Sequence, residues 1–158
     1  GDDMDGLTND EEFVSAINEL FNEKIPFNKT LGLKVESINL ERVSVSIQMR
    51  DELMGQYNRG MLHGGAISSV IDVAGGLAAF IGIQHKMRDE TLEARLKRFS
   101  RVSTIDMRVD FLRPGLGKWF VASGYVLRTG NRIAVTRIEL HNDQNQLIAA
   151  GTGSYSVA

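Results

Sequence analysis

The residues between positions 58 and 72 could do chemistry together. His63-Gly64-Gly65 is followed, nine positions after the histidine, by a carboxylate, Asp72. Two glycines ahead of small and apolar residues predict a tight turn into a helix. The first N–H groups of a helix have no intrahelical acceptor and can hold a developing negative charge. The Gly64 N–H is therefore a candidate to polarise a carbonyl oxygen, an interaction that contributes roughly 3–4 kcal/mol to a transition state. Asp72 stands among Val70, Ile71, Val73 and Ala74, with Ser68 and Ser69 one turn before it. A carboxylate in such a helix is costly unless it is paired or used. It reads as a nucleophile or as a general base on water; the competing reading is a cap or the partner of a buried arginine. His63 has two readings as well. Its ring either bonds to backbone and fixes the turn, or acts as a base or substrate contact. His85 and His141 have no ligand-like spacing to it, so no metal is expected.

Helix geometry constrains the pair. Eight residues from Gly64 to Asp72 span about 12 Å on a straight helix. Both groups must approach within about 3 Å of one carbonyl to act on it. If both act, Asp72 serves the helix start of another copy of the chain. Two antiparallel helices about a two-fold axis would then make two equal sites.

The elements that hold these residues follow from periodicity. Residues 63–84 form the longest apolar stretch and are expected to be a central helix; Gly75, Gly76 and Gln84 are expected to keep it short of a membrane span. Residues 8–25 read as an N-terminal amphipathic helix, opened by a Thr8/Glu11 capping box and stopped by Pro26. From Leu31 to Leu40 the alternation changes phase, which predicts a strand with a bulge near Glu36-Ser37. Residues 43–49 alternate cleanly as a second strand, and 51–62 read as a loop. The basic run 85–101 has a Leu92, Leu96, Phe99 stripe and reads as a surface helix. Its charges are either a solvated face or a landing surface for the phosphates of a nucleotide-bearing substrate. Four more strands are expected near 105–111, 118–128, 132–141 and 146–157, with a hairpin turn at Thr129-Gly130-Asn131. Consecutive strands joined by short turns give an antiparallel sheet, so the class is α+β, with a curved sheet covering the central helix.

Composition narrows the function classes. The 158 residues carry 24% charged and 42% hydrophobic side chains, which suits one globular domain over 1–158. A net charge of −2 gives no reason to expect nucleic-acid binding. The absence of cysteine removes disulfides, thiolate nucleophiles and Cys-bound zinc, and fits a cytoplasmic location. No secretory signal is read at the start, and no membrane partner is expected.

The run from Asn58 to Asp72 resembles the hotdog-fold acyl-CoA thioesterases, in particular the phenylacetate-degradation-type branch of the 4-hydroxybenzoyl-CoA thioesterase superfamily. The strand Thr104-Ile105-Asp106-Met107-Arg108-Val109-Asp110-Phe111-Leu112-Arg113-Pro114 is similar too, and the likeness covers roughly 30–156. The resemblance implies a sheet wrapped around a helix, assembled as a dimer and often a dimer of dimers. It implies hydrolysis of a fatty or aromatic acyl-CoA without cofactor or metal. Within it Asp72 matches the catalytic acid, Gly64 the backbone donor and Thr104 a strand hydroxyl that places water. His63 matches a residue that shapes the loop.

Many members carry Asn or Gln six residues before the histidine. Here that position is Tyr57, flanked by Gln56 and Asn58, and Asn58 is the preferred substitute. Gly65, Ser68 and Gln56 are expected beside the substrate. Arg113 and Arg128, at strand ends, are expected near CoA phosphates. Two other functions compete. A binding protein could hold acyl-CoA without turnover, but gains nothing from a buried acid. A dehydratase acting on acyl carrier protein pairs a histidine with an acid, without this Gly-Gly helix start.

Overall fold

A computed structural model describes residues 11–158, so Thr8 and the capping box it was expected to form lie outside the described residues. Helix α1 (Glu11–Glu19) buries Phe13 and Ile17 at i, i+4 spacing, and one π turn, Leu20–Lys24, carries the stripe on to Phe21. Pro26 does not simply stop this helix. It opens a second, α2 (Pro26–Leu31), because its fixed φ suits the first helical position and its missing N–H is not needed there. Gly32, at φ 69°, ends α2 in the left-handed region. Leu31 is thus helical, and strand β1 (Lys34–Ile38) starts later than the alternation implied.

Strand β1 pairs with β2 (Val43–Gln48), and the register shifts between Val35 and Ser37. The predicted bulge is there. Residues 51–62 hold more structure than a loop: a 3₁₀ turn, then a small hairpin of β3 (Met54–Gln56) and β4 (Met61–Leu62). The central helix α3 runs from Gly64–Gly82. The basic segment is not one helix. Thr91 accepts a bond from the Ala94 N–H and starts a new short helix, α4 (Leu92–Lys97), with 3₁₀ turns on either side. Nor is it all surface. Arg95 is buried, with its guanidinium 4.2 Å from the Phe13 ring centroid and its Nε–H donated to Gln84.

Strands β5 (Ser103–Phe111), β6 (Trp119–Thr129), β7 (Ile133–Asn142) and β8 (Leu147–Ser156) follow. The main sheet has the order β1-β2-β6-β7-β8-β5, and every neighbouring pair is antiparallel. Helix α3 packs on its concave side, against β2 and β5 to β8. By length and composition α3 could cross a membrane, contrary to the sequence expectation, since its mean hydropathy stays at 1.6 with the glycines included and it ends before Gln84. Instead the sheet covers it, and 61% of that window is buried in the protein.

One stripe of α3 escapes the sheet. Gly64, Gly65, Ser68, Ser69, Asp72, Val73 and Gly76 are the less buried positions, at alternating spacings of one and three. Asp72 is accordingly not sealed in the core, as its sequence neighbours suggested. Val70, Ile71 and Ala74 are buried in the core, while Asp72 is partly exposed toward the β5 edge of the sheet.

Candidate active site

At the start of α3, His63 is the cap. Its Nδ1 accepts the Gly65 N–H at 2.7 Å, and its own N–H is held by the Leu53 carbonyl at 2.7 Å. A Cβ on Gly65 would stand 2.9 Å from that Nδ1, so glycine is needed for the ring to sit there. With Gly65 engaged by His63 and Ile67 by the His63 carbonyl, the Gly64 and Ala66 N–H groups are left at the helix end without an intrahelical acceptor. The Phe111 ring lies beside Gly64, 3.4 Å from where a Cβ would be. Gln56 and Asn58 are exposed in the turn before this point, so they stand at the Gly64 end of the helix and not at Asp72.

Two turns along, Asp72 is held by hydroxyls from two strands. Thr104 on β5 donates to its Oδ1 at 2.8 Å, and Tyr155 on β8 donates to the same oxygen at 3.1 Å. The Tyr155 hydroxyl also lies 3.1 Å from the Asp72 main-chain carbonyl. Neither side-chain bond falls on Oδ2. Burial, and then the adjacent Asp72 charge, push the Tyr155 phenol far above its ordinary range, so it keeps its proton and remains a donor. Gly75 makes room for it: a Cβ there would stand 2.2 Å from the Tyr155 oxygen. An open cavity of about 290 Å³ adjoins Asp72, Thr104 and Tyr155 and reaches Phe21, Ile25 and Phe99. Among the described residues no group of three His, Asp or Glu side chains comes together as a metal site.

This fold and this constellation can be set beside known proteins. A sequence profile for the thioesterase superfamily matches residues 59–149. The medium/long-chain acyl-CoA thioesterase YigI of Escherichia coli K12 is 37% identical, over 98% of this chain and 99% of its own length. The chain belongs to the thioesterase superfamily. Two crystal structures superimpose closely. One, from Shewanella oneidensis and described as related to the thioesterase superfamily, has a TM-score of 0.87 at 44% identity, covering 93% of this chain and 96% of that one. The other, from Syntrophus aciditrophicus, has a TM-score of 0.86 at 54% identity, covering 95% and 99%. The antiparallel sheet around α3 is the hotdog thioesterase fold.

Within this thioesterase the structure brings Thr104 to Asp72 and keeps His63, Gly64 and Gly65 together at the helix start. Ser68 lies between them on the open stripe, and Ser69 bonds back to the Gly65 carbonyl at 2.7 Å. Arg113 follows β5 on the Gly64 side, its N–H bonded to the Ile148 carbonyl. Arg128 meets neither station. It lines a surface hollow with Arg132 near the β6–β7 turn, by the opposite end of α3. In the basic segment, Arg98 donates to the Val157 carbonyl at 2.9 Å and ties down the last strand, while Lys97 and Arg101 stay exposed. Tyr155 was missed by sequence reasoning. Its only local signal was an aromatic residue in a strand otherwise made of small residues.

Proposed function

We propose that the protein hydrolyses acyl-CoA thioesters to the free acid and CoA. The observation that carries this is the Asp72 carboxylate, held by Thr104 and Tyr155 at the mouth of an apolar cavity. The likeness to YigI supports it. Because both hydroxyls bond Oδ1, Oδ2 is the oxygen turned to reaction. It takes a proton from water as that water adds to the thioester carbon, or it attacks that carbon itself and forms a mixed anhydride, which water hydrolyses to the free acid once the thiolate has left. The carbonyl oxygen is held by the Gly64 N–H, with Asn58 and Gln56 near it. The C–S bond then breaks and the CoA thiolate takes up a proton. Thr104 fixes the carboxylate and can still accept a bond from the attacking water. Placement in the phenylacetate-degradation-type branch rests on the spacing of His63-Gly64-Gly65 and Asp72 and on the likeness of the strand from Thr104 to Pro114.

We propose further that the site is shared between two copies of one 1–158 domain. Gly64 and Asp72 stand about 12 Å apart on one unbroken helix. The open stripe between them is made of small residues, which lets a second α3 approach closely. It is flanked by β5, an edge strand with Ile105 and Phe111 half exposed, a surface that ordinarily requires cover. Antiparallel pairing of two helices brings the Gly64 of one copy to the Asp72 of the other. Release of free CoA thiol across a panel of acyl-CoAs tests the reaction. Thiol release by the wild type that Asp72→Asn abolishes is the expected result. Binding of acyl-CoA without any release would leave a binding protein.

A further inference from the structure

The cavity beside Asp72 follows the flank of α3 that Gly76 leaves bare. Asp72, Gly76 and Phe80 succeed one another at four-residue spacing and share one side of the helix. Gly76 lines the cavity and has no side chain to fill it. Phe80 is fully buried, and Phe99 meets it edge-on with ring centroids 5.5 Å apart. Phe99 in turn meets Phe21 at 4.8 Å. The cavity therefore has a polar end at Asp72 and an aromatic wall at Phe21 and Phe99. Ile25 and Val102 add to its apolar lining. Asn28 also lines it, but its amide N–H is spent on the Phe21 carbonyl at 3.1 Å.

We propose that this cavity receives the acyl tail, that the tail is an unbranched aliphatic chain, and that the Phe21–Phe99 pair limits its length. This rests on the reading of Asp72 as the acid at the thioester carbon. With that carbon at Asp72, the first carbons of the tail lie at the cavity mouth. The volume of about 290 Å³ suits a hydrocarbon tail and is too small for the nucleotide end of CoA. Its lining follows α3 from Asp72 to Gly76, about 6 Å of helix, and continues to Phe21 and Phe99, so the tail would run along the helix toward that pair. Phe21 and Ile25 come from the N-terminal segment, outside the region the superfamily profile matches, and Phe99 comes from within it, so the limit is set jointly by the two.

Each methylene buried in such a space raises kcat/KM by roughly fourfold. For the wild type, kcat/KM is expected to climb with chain length and level off where the tail meets Phe99. The experiment measures kcat/KM for straight-chain acyl-CoAs of increasing length, and for an aromatic acyl-CoA, with wild type, Phe99→Ala and Gly76→Ala. Phe99→Ala opens the wall. It should move the levelling-off point to longer chains, with a gain of at least about fourfold for the first chain beyond the wild-type limit and little change for short ones. Gly76→Ala narrows the space and should move that point to shorter chains. Its Cβ would meet the Tyr155 ring at 3.6 Å, an ordinary contact, so this variant folds even if Phe99→Ala does not. Folded variants with the wild-type chain-length profile would overturn the proposal. A wild type that prefers the aromatic substrate to every straight chain would overturn the aliphatic assignment. A wild type inactive on all of them would overturn the reaction itself, and the tail site with it.

Discussion

The two stations on α3 are built in opposite ways. At Gly64 the proposed donor is a main-chain N–H, and the side chain that caps the turn, His63, is two residues from the Gly65 whose N–H it accepts. At Asp72 the proposed acid is a side chain, held by hydroxyls 32 and 83 residues away. The first station depends on how the chain turns and little on which side chains surround it. The second depends on side chains that only the completed sheet brings together. A donor made of backbone is hard to remove by substitution, and an acid made of side chains is easy to remove.

That contrast can be broken at Asp72 first. Asp72→Asn keeps the shape and is expected to lower kcat by at least about 100-fold with KM little changed, since the acid acts in the transition state. Steady-state kinetics on a variant with wild-type circular dichroism checks it; unchanged turnover would remove Asp72 from the reaction. The next test asks whether the stations work across two copies. Asp72→Ala and Gly64→Pro are each expected to be inactive, the second because proline has no N–H. Refolded together, half the dimers are mixed, and each mixed dimer has one intact site. About a quarter of wild-type activity should return. Mixed dimers, shown with two affinity tags, that stay inactive would place both groups in one chain.

Smaller effects sharpen the same contrast. Tyr155→Phe removes one of two bonds to Oδ1 and is expected to lower kcat about tenfold while leaving KM near its wild-type value. It has a second readout. The phenol's raised pKa means that the folded state keeps a proton the unfolded state loses above 10.0, so folding stability falls as pH rises past that value. Tyr155→Phe should lack that share of the alkaline loss in thermal melts. His63→Ala removes the cap at the other station and is expected to cost about 1 kcal/mol of stability. Urea unfolding measures it. Last, Lys97 and Arg101 line a separate surface hollow, in the segment that also gives Phe99 and Val102 to the Asp72 cavity, and Arg113 follows β5 near the Gly64 turn. If CoA phosphates meet the first pair, their double Ala variant should raise KM about threefold at low salt and not at high salt. The same change in Arg113→Ala alone would put the phosphates at the other station.

Much of this was legible because it is local. The His63-Gly64-Gly65 turn, Asp72 and the helix between them are read from neighbouring residues. So are the bulge near Glu36 and the turn at Gly130, where alternation changes phase or glycine interrupts it. Pro26 was misread because proline is equally suited to ending one helix and opening the next. The break in 85–101 was misread because Thr91 caps a new helix inside a continuous charge pattern. Tyr155 and the Phe21–Phe99 wall were illegible for another reason. They become neighbours of Asp72 only through sheet order and helix docking, which no spacing along the chain encodes.

The covering of α3 has a consequence for how the protein is made. Of the main-sheet strands packed against it, only β2 precedes it; the meander β6–β8 begins at Trp119, 37 positions after Gly82. At ordinary synthesis rates that interval is roughly 2–7 s on the ribosome. During it a helix apolar enough for a bilayer lacks the β6–β8 meander that makes most of its cover. The stretch that carries the candidate site is therefore also the apolar stretch left longest with incomplete cover as the chain is made.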